Sequence, residues 1–297
     1  MGSMHLVIAG ASGFLGSHLT RQLREKGHEV TTLTRGEARR PSESAWRPDR
    51  GQVDQAVIDR ADVVVNLAGS PTLGNPHSRT WQRNLQESRV STTRTLAEAI
   101  AASDSPPSFL AGNAMGWYGD HGDELVTEEA ETRGDSLLSK VSRAWQEAAI
   151  AAEGTTRICF LRTAPVLDGS APPLKQQKLL FQLGLGGKLG DGHQYFPVIS
   201  LRDWLSSVEF LAESDISGPV NLCAPETPTN AEFTRALADA VHRPAFLPAP
   251  KAVLKKAAGP LAPELLGSVR AAPQVLLDAG HDFADHDVRD VLATALA

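Results

Sequence analysis

The chain has 297 residues, 41% of them hydrophobic and 22% charged, with a net charge of −6. That balance suits one large or two modest soluble α/β domains and argues against general nucleic-acid binding. No apolar run approaches the roughly 20 residues of a membrane span. The first residues lack the basic and apolar regions of a signal peptide, so a cytoplasmic location is expected. Two cysteines, Cys159 and Cys223, lie in apolar strand-like runs. They read as buried thiols rather than as a disulfide or a metal site.

In chain order, the apolar run from His5 feeds Gly10, Gly13 and Gly16, after which Leu15, Leu19 and Leu23 recur at helical spacing. Strand, tight turn and helix N-terminus in series form a ready anion site of bare amides and helix dipole. A side chain there would block the approach of a pyrophosphate. The candidate cofactor residues of this turn are Gly10, Ser12, Gly13, Phe14, Leu15 and Gly16. The spacing is G-x-x-G-x-x-G rather than the G-x-G-x-x-G of the dehydrogenase fingerprint.

A second strand is predicted over residues 29–34 and a buried third over 62–67, a near-continuous apolar run of the parallel-sheet type. A long helix over 81–101, a strand over 108–111, a helix over 136–152 and a strand over 156–161 follow. Strands alternating with helices predict a Rossmann-type doubly wound parallel sheet. Beyond residue 165 glycine, proline and short elements dominate. Signals return over 201–212, 218–223 and 230–241, and proline-punctuated helices fill 249–297. The expected division is a dinucleotide-binding domain over 4–165 and a smaller, mostly helical substrate lobe over 166–297, interleaved at the cleft.

The second strand ends Leu33-Thr34-Arg35, with no carboxylate before Glu37 and with Arg39 and Arg40 beyond. An acidic residue there would grip the ribose 2′-hydroxyl of NAD, whereas a planar guanidinium suits a 2′-phosphate. NADP(H) is therefore the favoured cofactor over NAD(H), while Arg39 and Arg40 also suit solvated loop charges. Asn66-Leu67-Ala68-Gly69 closes the third strand with small residues that would let backbone lie beside a ribose, or forms a plain strand-end turn.

Together with Gly116-Trp117-Tyr118-Gly119-Asp120, the glycine-dense stretch 183–194 and the stretch 266–280, these motifs resemble the extended short-chain dehydrogenase/reductase superfamily. The likeness is nearest to an atypical branch of its nucleotide-sugar epimerase/dehydratase relatives, the YfcH-like epimerase family, also labelled SulA-like. It spans about residues 4–296 and takes in a C-terminal helical module. The resemblance implies a Rossmann-type fold and bound NADP(H). It also implies cofactor contacts from Thr34, Arg35, Leu67, Ala68, Gly69, Asn84 and Arg89. Arg89 equally fits a surface ion pair along its helix.

Superfamily reductases carry a Tyr-x-x-x-Lys pair on the helix after strand four, the lysine lowering the tyrosine pKa. Here Leu137-Leu138-Ser139-Lys140-Val141-Ser142 stands in that place, with Lys140 off register. Asn113 occupies the slot of the partner hydroxyl and can donate a hydrogen bond but not serve as an acid. Candidate catalytic groups are Asn113, Tyr118 and Tyr195, with His193 as a further proton donor. The predicted function is an NADP(H)-binding epimerase or oxidoreductase-like protein acting on a small molecule. The alternative is a catalytically silent NADP(H) sensor. No metal, no nucleic acid and no membrane are expected, and a second copy of the chain is a candidate partner. Arg162 suits a substrate carboxylate or, preferably, a pair with a buried acid such as Asp203.

Overall fold

Short apolar runs become the strands of a central sheet in the computed structural model, which describes residues 2–297. In chain order come β1 (His5–Ala9), α1 (Phe14–Glu25), β2 (Glu29–Thr34), β3 (Glu43–Ala45), α2 (Gln55–Asp59), β4 (Val63–Asn66), α3 (Arg79–Ala101), β5 (Ser108–Ala114), β6 (Leu125–Val126), α4 (Leu137–Glu147) and β7 (Ile158–Thr163). The chain continues through β8 (Val166–Leu167), α5 (Pro172–Gln182), β9 (Ile199–Ser200), α6 (Leu201–Glu213), β10 (Gly218–Leu222), α7 (Asn230–Ala240), α8 (Lys251–Ala258), α9 (Ala262–Leu266), β11 (Arg270–Ala271), α10 (Gln274–Asp278) and α11 (Val288–Leu296).

Seven strands form one sheet in the order β10-β7-β5-β4-β1-β2-β3. The pairings β1–β2, β1–β4, β2–β3 and β4–β5 are parallel, with Val7 opposite Thr31 on one side and Val64 on the other. All of Val63–Asn66 is buried, as a strand covered on both faces requires. The order reverses between β1 and β4, which puts the turn after β1 at the topological switch point where such folds bind ligands.

The chain divides into two compact units. The first takes the chain up to Asn113 with Val141–Leu161 and Val208–Pro219; the second takes Ala114–Lys140, Arg162–Ser207 and Val220–Ala297. Val7, Val64, Leu96, Ile100 and Phe109 centre the core of the first. Leu174, Phe181, Phe233, Leu237, Val291 and Leu292 centre that of the second. Both cysteines are buried and free.

Three elements depart from expectation. The predicted helix over 136–152 stops at Glu147 and gives way to a 3₁₀ turn at Ile150–Ala152. Within the glycine- and proline-rich stretch beyond residue 165, Pro172 opens the helix α5, because proline at the first helical position lacks only an N–H that has no partner there anyway. The strand expected in the C-terminal lobe, β10, is an edge of the central sheet. Pairing so distant in sequence leaves no local trace.

Candidate functional site

The glycine turn of the first unit is tight for two distinct reasons. Gly10 has φ +84°, and a Cβ on it would lie 2.6 Å from the Leu67 carbonyl carbon and 2.7 Å from the Ala68 nitrogen. A Cβ on Gly16 would lie 2.3 Å from the Gly10 carbonyl oxygen. Both glycines are thus demanded by the fold itself, since backbone cannot yield as a flexible side chain can. Gly13 differs: its Cβ would meet only the Gly10 oxygen, at 3.2 Å. Gly13 is the N-cap of α1, offers no side-chain cap, and no acidic residue follows in the first turn. The first amides of α1, at Phe14, Leu15 and Gly16, therefore have no intrahelical acceptor and no carboxylate facing them. Such a helix start has the chemistry to take an anion, and the middle glycine leaves the approach to it open.

Asn66 organises the neighbouring turn. Its Oδ1 accepts from the Ala68 N–H at 3.1 Å and its Nδ2 donates to Thr93 Oγ1 at 2.8 Å. Thr93 Oγ1 also accepts from Trp145 Nε1 at 2.9 Å, and Thr92 Oγ1 donates to the Ala68 carbonyl at 3.2 Å. The backbone of Leu67 and Ala68 is thereby pinned against Gly10. These threonines on α3 carried no sequence signal; only the packing of α3 under β4 exposes them.

Arg89 is buried rather than engaged in a surface ion pair. Its Nη1 donates to the carbonyls of Leu85 at 2.9 Å and Ser70 at 3.2 Å, and its guanidinium lies 5.0 Å from the Trp145 ring centroid. A Cβ on Gly69 would come within 3.1 Å of the arginine side chain, so Gly69 makes room for it. Burial lowers the Arg89 pKa to about 10. Among the described residues no carboxylate forms an ion pair with it. A buried cation without a counter-charge is a place where an anion lowers the energy.

Ser12 and Thr34 line one cavity of about 500 Å³ with Arg21, Arg24 and Arg40. Arg24 is spent on the Val30 carbonyl. Arg35 is exposed just beyond β2, and Asn84 is exposed on α3. The Asn84 carbonyl accepts from Ser70 Oγ at 3.2 Å. Arg21 was missed from sequence, although it follows Ser17 by one helical turn and shares its face. Asn113 is buried and donates through Nδ2 to the Ser142 carbonyl at 3.2 Å.

In the second unit Tyr118 is fully buried. Its hydroxyl donates to Asn221 Oδ1 at 2.6 Å and accepts from Arg162 Nη1 at 2.9 Å. Burial pushes its pKa up to about 12, against the opposing pull of Arg162. The Arg162 guanidinium stacks 3.5 Å from the Trp117 ring centroid, and its Nη1 also donates to the Glu128 carbonyl at 3.4 Å. Glu128 Oε1 accepts from the Asn221 N–H at 3.0 Å, and burial raises the Glu128 pKa. The expected Arg162–Asp203 pair is corrected accordingly. Asp203 accepts from the amides of Ala284 and Asp285 at 2.9 and 2.8 Å, because the loop before α11 needs those amides satisfied.

Tyr195 is half-buried, with Arg270 5.3 Å from its ring centroid. Its backbone is held by Ser268 Oγ, which accepts from the Tyr195 N–H at 3.0 Å, and by the Val269 N–H at 3.2 Å. His193 is 89% exposed beside Asp191. At the start of α4 the Leu138 side chain faces Gly116. The Leu138 N–H donates to Glu264 Oε1 at 3.1 Å, and burial raises the Glu264 pKa. Lys140 is exposed. The one metal-type cluster among the described residues, His28, Glu209 and Glu213, is compromised by Lys26, whose Nζ lies 2.6 Å from Glu209.

Comparison with known proteins gives the family. The NAD dependent epimerase/dehydratase family matches residues 6–208, and a domain of unknown function, DUF1731, matches residues 249–295. Epimerase family protein Mb2239 of Mycobacterium bovis is 35% identical over 298 residues, covering 99% of this chain and 98% of its own. The crystal structure of human epimerase family protein SDR39U1 (isoform 2) with NADPH superposes with a TM-score of 0.88 at 30% identity, covering 98% of this chain and 99% of that one. A nucleoside-diphosphate sugar epimerase from Corynebacterium glutamicum superposes at 0.80 with 34% identity. The match covers 99% of this chain but 58% of that protein. These relatives carry the epimerase-family name rather than the YfcH-like one. The chain belongs to the NAD dependent epimerase/dehydratase family.

Proposed function

We propose that the chain binds NADP(H) at the glycine turn of its first unit and serves as an oxidoreductase or epimerase-like enzyme on a small molecule. One observation carries this reading: the uncapped amides of Phe14–Gly16 share a unit with the buried guanidinium of Arg89, which has no carboxylate partner. A phosphorylated dinucleotide supplies the negative charge that both lack. The NADPH bound by human SDR39U1 supports the same assignment.

In this reading the amides from Ser12 to Gly16 hold the pyrophosphate, and the pinned backbone of Leu67–Gly69 borders the adenosine. Thr34 and Arg35 lie toward a 2′-phosphate, with Arg21 and Arg40 adding positive field around the cavity. Asn84 and Arg89 complete the contacts from α3. The bound nicotinamide would supply or accept a hydride. Asn113 can orient a carbonyl by hydrogen bonding but cannot deliver its proton. Tyr118 spends its hydroxyl on Asn221 and Arg162, which leaves Tyr195 as the candidate acid.

A second reading, an NADP(H) sensor without turnover, is favoured by the leucines at the catalytic register and by the engagement of Tyr118. Fluorescence titration with NADPH and NADH, followed by a panel of carbonyl compounds, separates the two. Arg35→Asp is expected to weaken NADPH by roughly ten-fold or more, the size of a charge-assisted hydrogen bond, and NADH far less. Equal effects would remove the preference for the phosphorylated cofactor. Turnover abolished in Tyr195→Phe would support the enzyme with that acid. Tight NADPH binding with no oxidation across the panel would support the sensor.

A further inference from the structure

Two stretches of the second unit stand apart from the rest of an acidic chain. Residues 172–190 contain Lys175, Lys178 and Lys188 and no acidic residue; residues 243–263 contain Arg243, Lys251, Lys255 and Lys256 and again none. The fold stitches them together. The Leu247 N–H donates to the Gly186 carbonyl, the Ala249 N–H to Lys188, and the Gly190 N–H to Ala249. A Cβ on Gly187 would collide with the Leu247 carbonyl, so the two backbones lie in direct contact.

The same stretches hold large apolar side chains in water. Leu180, Leu183, Leu185, Phe246, Leu247 and Val253 are 47–68% exposed. Single exposed leucines are ordinary, but a joined set of this kind marks an interaction surface. α8 reinforces the point, since none of its residues is buried. A helix of eight residues draws little stability from propensity alone and normally depends on a packed apolar face. Lys251 is taken by Asp191 at 2.7 Å. Lys175, Lys188, Lys255 and Lys256 are exposed and have no ion pair among the described residues.

We propose that this basic, apolar face of α5, α8 and the turns beside them docks on an anionic membrane surface. Phe246 borders an open cavity of about 870 Å³ with Lys188, Arg235, Asp239 and Arg243, while the exposed side chains of Leu183 and Leu185 project from the turn that ends α5. Such projections suit a deformable hydrocarbon boundary, whereas a rigid protein partner would need matching pits. Exposed cations in the same two stretches as exposed apolar side chains supply the two signals, insertion and charge, that stable peripheral binding requires. A second copy meeting this face through the same face would set lysine against lysine. The contact is peripheral and needs no spanning helix, and none of the described helices is long and apolar enough to span. It departs from the expectation of no membrane, which rested on the lack of such a segment.

The test is flotation of the full chain with vesicles of phosphatidylcholine alone and with vesicles rich in phosphatidylserine. The chain is expected to float with the anionic vesicles only and to be released by high salt. Lys255→Glu with Lys256→Glu should weaken binding at least five-fold per position, the effect of one basic residue near such a surface. Phe246→Ser with Leu183→Ser should weaken it at low salt although every lysine is kept, with melting temperature unchanged because both side chains are exposed. No flotation with anionic vesicles would overturn the proposal. So would equal flotation with neutral ones, or an oligomer dissolved by Phe246→Ser in a chain that ignores vesicles; the last would assign the face to contact between copies.

Discussion

The two units differ in how they balance a buried cation. In the first, Arg89 is buried against carbonyls and an aromatic ring with no carboxylate to match it, and the amides of Phe14–Gly16 point at no acceptor. In the second, Tyr118, Arg162, Asn221 and Glu128 are bonded to one another in one cluster that brings a cation and a carboxylate together, although Glu128 Oε2 is buried outside it. A cation without a carboxylate and amides without an acceptor suit an anion that arrives later, whereas a cation and a carboxylate bonded into one cluster rigidify a fold. A tyrosine beside a glycine motif reads identically in both settings, and only the partners of its hydroxyl tell them apart.

Substitutions can break that contrast at either end. The largest effect is expected from Gly16→Val, which drives a branched side chain into the Gly10 carbonyl 2.3 Å from its Cβ. Loss of the first unit's cooperative melting should result, since overpacking costs about 1–3 kcal/mol even without backbone collision. Arg162→Met should follow, at about 3–5 kcal/mol in denaturant unfolding, because Tyr118 and Glu128 lose a buried partner. Its effect on NADPH affinity should be far smaller than its effect on stability. Tyr118→Phe should cost about 1–3 kcal/mol by leaving Asn221 Oδ1 buried without its donor. A turnover rate that falls with Tyr118→Phe while stability holds would instead make that hydroxyl catalytic.

The smallest effect is a pH slope. Burial raises the Glu128 pKa in the folded state, so the native chain holds that proton more tightly than the unfolded one. The associated stability is fully present below the unfolded glutamate value, roughly 4.3, and is lost as pH rises through the folded value. Glu128→Gln keeps an acceptor for the Asn221 N–H and should flatten that part of the stability profile. An unchanged slope in denaturant titrations would place the proton elsewhere, with Glu264 and Asp203 the next carboxyls raised by burial.

What the sequence discloses follows the same division. The glycine turn, the strand over Val63–Asn66 and the long helix α3 are local patterns with local causes, and each is legible. Gly13 could be distinguished from Gly10 and Gly16 only once the atoms a Cβ would meet were known. The Arg162 partners lie 44 residues away at Tyr118 and 34 away at Glu128, which no spacing rule reaches. α5 was hidden because Pro172 signals a helix start and a loop equally well. The threonines under Leu67 and Ala68 were invisible because their role is to hold a backbone, and backbone leaves no residue-type signature.

The most direct test of the central claim is calorimetric titration of NADPH into the full chain and into Gly13→Ala. Saturable heat and a raised melting temperature are predicted for the unaltered chain. The variant should retain a near-normal melting temperature without ligand and bind markedly more weakly, because its added methyl meets mainly the space left for a phosphate. Absence of heat and of any melting shift in the unaltered chain, with NADPH and with NADP⁺, would contradict the account.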